Sequence, residues 1–191
     1  MTQPSTSRLH AQALLRQGMD TSHGSTGEEV LDIYRQSAAA DPTWGIPHFL
    51  MGSHHAAQGD MEKAELALSN AALLSPDFPM ARYQLGTLQF SSGRAVAALV
   101  SWQPLLGLPE ESPLPHFVRG YAALAQDDFD SAVRHYEKGL EKNTENAALS
   151  EDIQKILARI ASVKAAAQDP SPGSTPDDPG MGHVLLSNYQ R

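Results

Sequence analysis

The chain has 191 residues, 41% of them hydrophobic, enough for one domain with a sizeable core, so a single unit is the starting assumption. With 14 Lys and Arg against 22 Asp and Glu, the formal charge of -8 repels a phosphate backbone or an anionic membrane surface unless a basic patch offsets it, and no such patch is visible, so no nucleic-acid partner is expected. The absence of cysteine excludes disulfides, thiolate metal sites and cysteine nucleophiles, and it fits a reducing compartment.

From the N-terminus, residues 1–8 read as a disordered lead-in. Met1 to Gln12 lacks the apolar core of a secretory signal, and no later apolar run approaches the roughly 18 residues that a bilayer span requires, so a soluble, cytoplasmic protein with no membrane insertion is expected. Residues 9–44 carry Gly18, Val30, Tyr34 and Ser37, whose places return at 34-residue intervals. Residues 45–78 have Gly52, Ala64, Leu68 and Ala71 there; residues 79–112 have Gly86, Ala98 and Trp102; residues 113–146 have Gly120, Ala132, Tyr136 and Gly139. Gly59 and Gly93 keep the same step, with Asp127 in third place, as do Pro42 and Pro76.

The units are not identical. In residues 9–44 the stretch Asp20 to Gly27 is longer and more polar than a tight helical turn needs, so the first helix is expected to be loosely attached. Residues 79–112 contain Pro104 inside the expected second helix, where the lost backbone donor forces a kink or an early stop. Residues 113–146 put Arg119 where an apolar residue is expected. In residues 147–167, Ile153, Ile156, Leu157, Ile160 and Val163 at mixed three- and four-residue spacings predict a capping helix. Residues 168–182, with four prolines and three glycines, read as a flexible linker. Residues 183–191 then gather Val184, Leu185, Leu186 and Tyr189.

A repeat of this length is a helical hairpin: two antiparallel amphipathic helices approach where Gly or Ala faces the partner, and a large side chain fills the adjacent hollow. Gly59-Asp60 is expected to end one helix and cap the next. With Met51-Gly52, Gly59-Asp60, Ala64, Leu68, Ala71 and Ser75-Pro76-Asp77 in one unit, the sequence resembles bacterial-type tetratricopeptide-repeat (TPR) proteins over residues 9–166. The resemblance implies an all-α fold, a right-handed solenoid of helical hairpins with a C-terminal capping helix, that binds a partner polypeptide and needs no cofactor.

It also implies that the first helix of each hairpin lines a concave face. The positions concerned are Ile46, Phe49, Ser53, Ala56 and Ala57; Met80, Tyr83, Thr87, Phe90 and Ser91; and Leu114, Phe117, Tyr121, Leu124 and Ala125. None is charged. Phe49, Ser53, Gln84, Leu114 and Val118 stand where family members that hold acidic chaperone tails carry a carboxylate clamp, so that ligand is not implied. An apolar groove is expected instead, lined by Phe49, Met80, Tyr83, Thr87, Phe90, Leu114, Phe117, Tyr121 and Leu124 and suited to a protein or peptide with large apolar anchors. The alternative is that some of these, particularly Phe49, Phe117 and Leu124, pack between hairpins. Val184, Leu185, Leu186 and Tyr189 are a candidate ligand for the same groove, in cis or by self-association.

His48, His54 and His55 cluster, but the i, i+7 spacing of His48 and His55 does not suit joint coordination, and His116 repeats the place of His48, so packing is expected and no metal site. No catalytic motif occurs, so no enzyme activity is expected. Three functions remain in view: an adaptor or assembly scaffold; a secretion-type chaperone for a hydrophobic client, similar to type III secretion translocator chaperones; and an oligomerisation module acting through Trp102.

Overall fold

The computed structural model describes residues 5–21 and 26–168 of the chain. Residues 1–8 therefore fall partly, and the tail residues Val184, Leu185, Leu186 and Tyr189 wholly, outside the described residues, as does the middle of the Asp20 to Gly27 turn. The helices, in chain order, are α1 (Thr6–Thr21), α2 (Gly27–Ala40), α3 (Ile46–Ala57), α4 (Met61–Leu74), α5 (Pro79–Ser91), α6 (Ala95–Trp102), α7 (Pro113–Leu124), α8 (Phe129–Lys142) and α9 (Ala147–Gln168). No strand occurs among the described residues.

Local chemistry sets the helix ends. Thr26 and Glu29 form a reciprocal capping box at α2, the Thr26 amide donating to the Glu29 carboxylate at 2.8 Å. Three hairpin turns share one device, a left-handed residue after the first helix: Gly59 at φ +81°, Gly93 at +76° and Asp127 at +57°. The next amide closes back on the helix each time, from Asp60 to the His55 carbonyl (2.9 Å), from Arg94 to Gln89 (2.9 Å) and from Asp128 to Ala123 (3.0 Å). Asp128 then caps α8 through the Ser131 amide at 3.0 Å. Asp60 does not cap α4 as expected; its carboxylate is drawn to Lys63 at 2.9 Å instead. At Pro104 the α6 helix gives way to a 3-10 turn, Gln103–Gly107, the early stop that a missing donor requires.

The chain divides within α5 into two compact units, residues 1–88 and 89–191, rather than the single unit assumed from its length. In a repeat array each hairpin contacts only its neighbours, so no one core has to enclose the whole chain.

In the first unit, Gly18 faces Tyr34 and Gly52 faces Leu68, so tightly that an added Cβ would lie 2.8 Å from the Tyr34 ring and 2.7 Å from Leu68 Cγ. Ala64, Leu68, Ala71, Ala72, Ala81 and Leu85 form the core around α4 and α5. Leu15, Val30 and Tyr34 form the core of the first hairpin. Its first helix is not loose. Ser37 Oγ donates to the Ala11 carbonyl at 2.7 Å, Ala11 is fully buried, and Arg8 Nε donates to Asp41 Oδ2 at 2.5 Å while its guanidinium lies 5.1 Å from the centre of the Trp44 ring. These contacts hold α1 whatever the length of the turn that follows it.

In the second unit, Gly120 faces Tyr136, and Gly139 faces Phe117. Phe90, Trp102, Tyr121 and Tyr136 form a continuous chain of rings, with Trp102 stacked on Tyr121 at 4.7 Å and Tyr136 edge-on to Tyr121 at 5.5 Å. Ile153 and Ile160 of α9 are fully buried. Arg119, unexpected in the register, holds Glu110 at 2.9 Å and so ties the loop before α7 to that helix.

Candidate partner-binding surface

The two units hold different parts of the expected groove. In the first, α3 and α5 present Phe49, Ser53, Met80, Gln84 and Thr87, all half-buried. Phe49 packs edge-on against Phe78 at 4.9 Å, which fixes its ring while leaving part of it open. Ser53 Oγ donates to Gln84 Oε1 at 2.9 Å, bridging the two helices, and Thr87 Oγ1 bonds back to the Tyr83 carbonyl at 2.9 Å. The patch combines two large apolar side chains with hydroxyl and amide groups and no ionised group. It can accept aliphatic or aromatic anchors and offer hydrogen bonds to an extended backbone.

The remaining expected residues are buried. Tyr83 is 3% exposed, Leu114 and Tyr121 5%, Phe90 7%, Leu124 9% and Phe117 0%. Phe117 packs on Gly139, while Phe90 and Tyr121 join the ring chain around Trp102; these are core side chains in this structure, and the expectation that they line an open groove is corrected. The register fixes which helix a residue belongs to, but Trp102 is bulkier than Leu68 at the same place and gathers the neighbouring rings inward. Trp102 is itself fully buried, so it is not available as a direct contact for self-association.

The histidines sit where packing puts them. His116 is 1% exposed, with its Nε2–H donating to the Glu110 carbonyl at 2.9 Å. Burial holds the His48 imidazole below its ordinary pKa, and the same desolvation, reinforced by Lys63, does so for His55. Among the described residues no three His, Asp or Glu side chains gather as metal ligands, and no helix is long and apolar enough to cross a membrane.

One exposed feature was not anticipated. Val96, Leu99 and Val100 on α6, with Leu106 in the following turn, leave 78%, 37%, 71% and 42% of their surfaces open. The signal was available: the same places on α8 hold Asp130 and Arg134 where α6 has Val96 and Val100.

A family model described as Tetratricopeptide repeat matches residues 113–138. The chain carries the TPR fold. Among solved structures, "Crystal structure of MamA" is 21% identical, with a TM-score of 0.56 over 69% of this chain and 77% of that one. "MamA 41-end from Desulfovibrio magneticus RS-1" is 15% identical, with a TM-score of 0.56 over 87% and 99%. The chain also superposes on 32% of a chain from "Crystal structure of APC/C hetero-tetramer Cut9-Hcn1", using 83% of its own length, at 21% identity and a TM-score of 0.64. No curated protein matches. The family model falls on the hairpin α7 and α8, where the Gly120 and Tyr136 pair is intact.

Proposed function

We propose that the protein is a non-enzymatic, cytoplasmic adaptor or assembly scaffold, and that it captures a partner segment bearing large apolar anchors on the α3 and α5 face of the first unit. The observation that carries this is the half-open pair Phe49 and Met80 beside the uncharged donors and acceptors of Ser53, Gln84 and Thr87. A surface of that kind gains affinity by burying anchors, while its hydrogen-bonding groups set the register of the bound chain. Tyr83, Phe90, Leu114, Phe117, Tyr121 and Leu124 act from behind, as the packing that holds the helices in place. The overall acidity and the absence of a carboxylate clamp argue for an apolar ligand over an acidic tail.

The test is a capture experiment with the wild type beside Met80→Glu/Gln84→Glu, both checked for helicity by circular dichroism. A partner retained by the wild type and lost by the folded variant supports the site, and a partner bound equally by both removes it. If the captured protein is one insoluble client that the chain alone keeps in solution, the secretion-chaperone reading takes the place of the adaptor. The tail residues Val184, Leu185, Leu186 and Tyr189 enter the same assay as a competing ligand, because a synthetic peptide of residues 183–191 would displace the partner if it shared the site.

A further inference from the structure

The α6 stripe lies on a different helix from the proposed capture face and calls for its own occupant. Val96, Leu99 and Val100 follow the three- and four-residue spacing of one helix face, and Leu106 extends it past the Pro104 stop. Val96 and Val100 are more than two-thirds exposed. No charged side chain interrupts the run from Ala95 to Leu106. The corresponding helix α8 answers the same positions with Asp130 and Arg134, the ordinary solution for a helix face turned to water.

The size of the stripe selects the kind of occupant. Its open apolar area is on the order of 400 Å², about half of what each partner contributes to a stable interface between folded proteins. A second folded copy would therefore be held weakly, whereas a short segment with two or three aliphatic side chains would cover the stripe completely. The chain supplies such a segment in Val184-Leu185-Leu186 with Tyr189.

The attachment point is also fixed. Lys164, in the last turns of α9, is ion-paired to Asp130 in the first turn of α8. Asp130 is the register equivalent of Val96, one 34-residue repeat away. The ring chain Trp102, Tyr121 and Tyr136 joins α6 to α8 through α7 in steps of 4.7 and 5.5 Å, so the rings at its ends are at most about 10 Å apart. The fourteen residues between Gln168 and His183 have a random-chain span of about 20 Å, enough to pass from α9 across α8 to α6.

We infer that residues 183–191 seat on the α6 face of their own chain, with Val184, Leu185 and Leu186 covering Val96, Leu99 and Val100.

Because the chain has no cysteine, a single Ser187→Cys variant of the full chain can carry one nitroxide label. In the dilute labelled protein, the Val96 and Val100 methyl resonances should lose most of their intensity to relaxation by the label. They should recover it in Val184→Ser/Leu185→Ser/Leu186→Ser, which alters none of the described helices, and in Val96→Asp/Val100→Arg the Leu99 methyls should recover likewise. The second variant borrows the side chains that α8 already carries, so folding is retained. Broadening centred on Met80 would place the tail on the capture face and overturn the inference. Unbroadened α6 methyls would overturn it too. Broadening seen only between isotope-labelled and spin-labelled chains mixed at high concentration would assign the stripe to a second copy.

Discussion

Gly120 lies so close to Tyr136 that a Cβ added to the glycine would come within 2.6 Å of the tyrosine Cε1. Tyr136 is fully buried and edge-on to Tyr121, so it has no room to retreat. Gly120→Ala should therefore destabilise the second unit by about 1–3 kcal/mol, the cost of overpacking a fixed ring, despite the better helix propensity of alanine. Chemical denaturation would measure it; an unchanged midpoint would mean that the ring can move.

Phe117→Ala should act as a core deletion. The side chain is enclosed and rests on Gly139, so its removal leaves a cavity costing about 3–5 kcal/mol. Met80→Glu, at a half-exposed position, should leave the thermal midpoint almost unchanged while abolishing partner capture. Loss of stability in the first variant and loss of capture without loss of stability in the second is the expected pattern.

The attachment of α1 should depend on pH. Thr43 hydrogen bonds first, and the Arg8 contact second, hold the Asp41 carboxyl below its ordinary value. A group whose folded pKa is lowered stabilises the fold above its unfolded pKa and loses that contribution as pH falls through the folded value. Hydrogen-exchange protection in α1, relative to the intrinsic rate at each pH, should therefore fall below the usual carboxylate range, and Asp41→Asn should flatten this dependence. Ser37→Ala, which removes the bond that ties α2 to the Ala11 carbonyl, should loosen the same helix by about 0.5–1.5 kcal/mol at every pH.

Asp127 occupies the left-handed turn position that Gly59 and Gly93 fill elsewhere, and it is exposed. Asp127→Gly should raise stability by about 0.5–1 kcal/mol, the relieved backbone strain exceeding the added freedom of the unfolded chain. A thermal melt that falls instead would show the aspartate to be held by a contact worth more than the strain.

Much of the fold was legible because its determinants repeat. Gly18, Gly52 and Gly120 each meet the large side chain sixteen residues on, so even the degenerate first hairpin declared itself through Gly18 and Tyr34. Pro104 announced the end of α6 because the missing donor acts locally. The binding surface was less legible. A position in the register names the helix and its approximate face, but whether Phe90 and Tyr121 stand open or closed depends on the volume of Trp102, which lies far away along the chain. The Arg8 and Asp41 pair was hidden for the same reason, since nothing local links two residues from different helices.

The glycine and large-residue pairs also constrain how such a chain can grow. Each pair is completed inside its own hairpin, so duplicating a whole 34-residue stretch, such as Gly45 to Phe78, would carry a finished pair with it and hand the following hairpin an unchanged neighbour. A duplication one residue longer or shorter would leave the pair intact but turn a helix by about 100° against the hairpin it has to pack on. Change in length is thus inexpensive in whole repeats and expensive in anything smaller, which lets a repeat chain of this kind gain or lose reach without redesign of its interior.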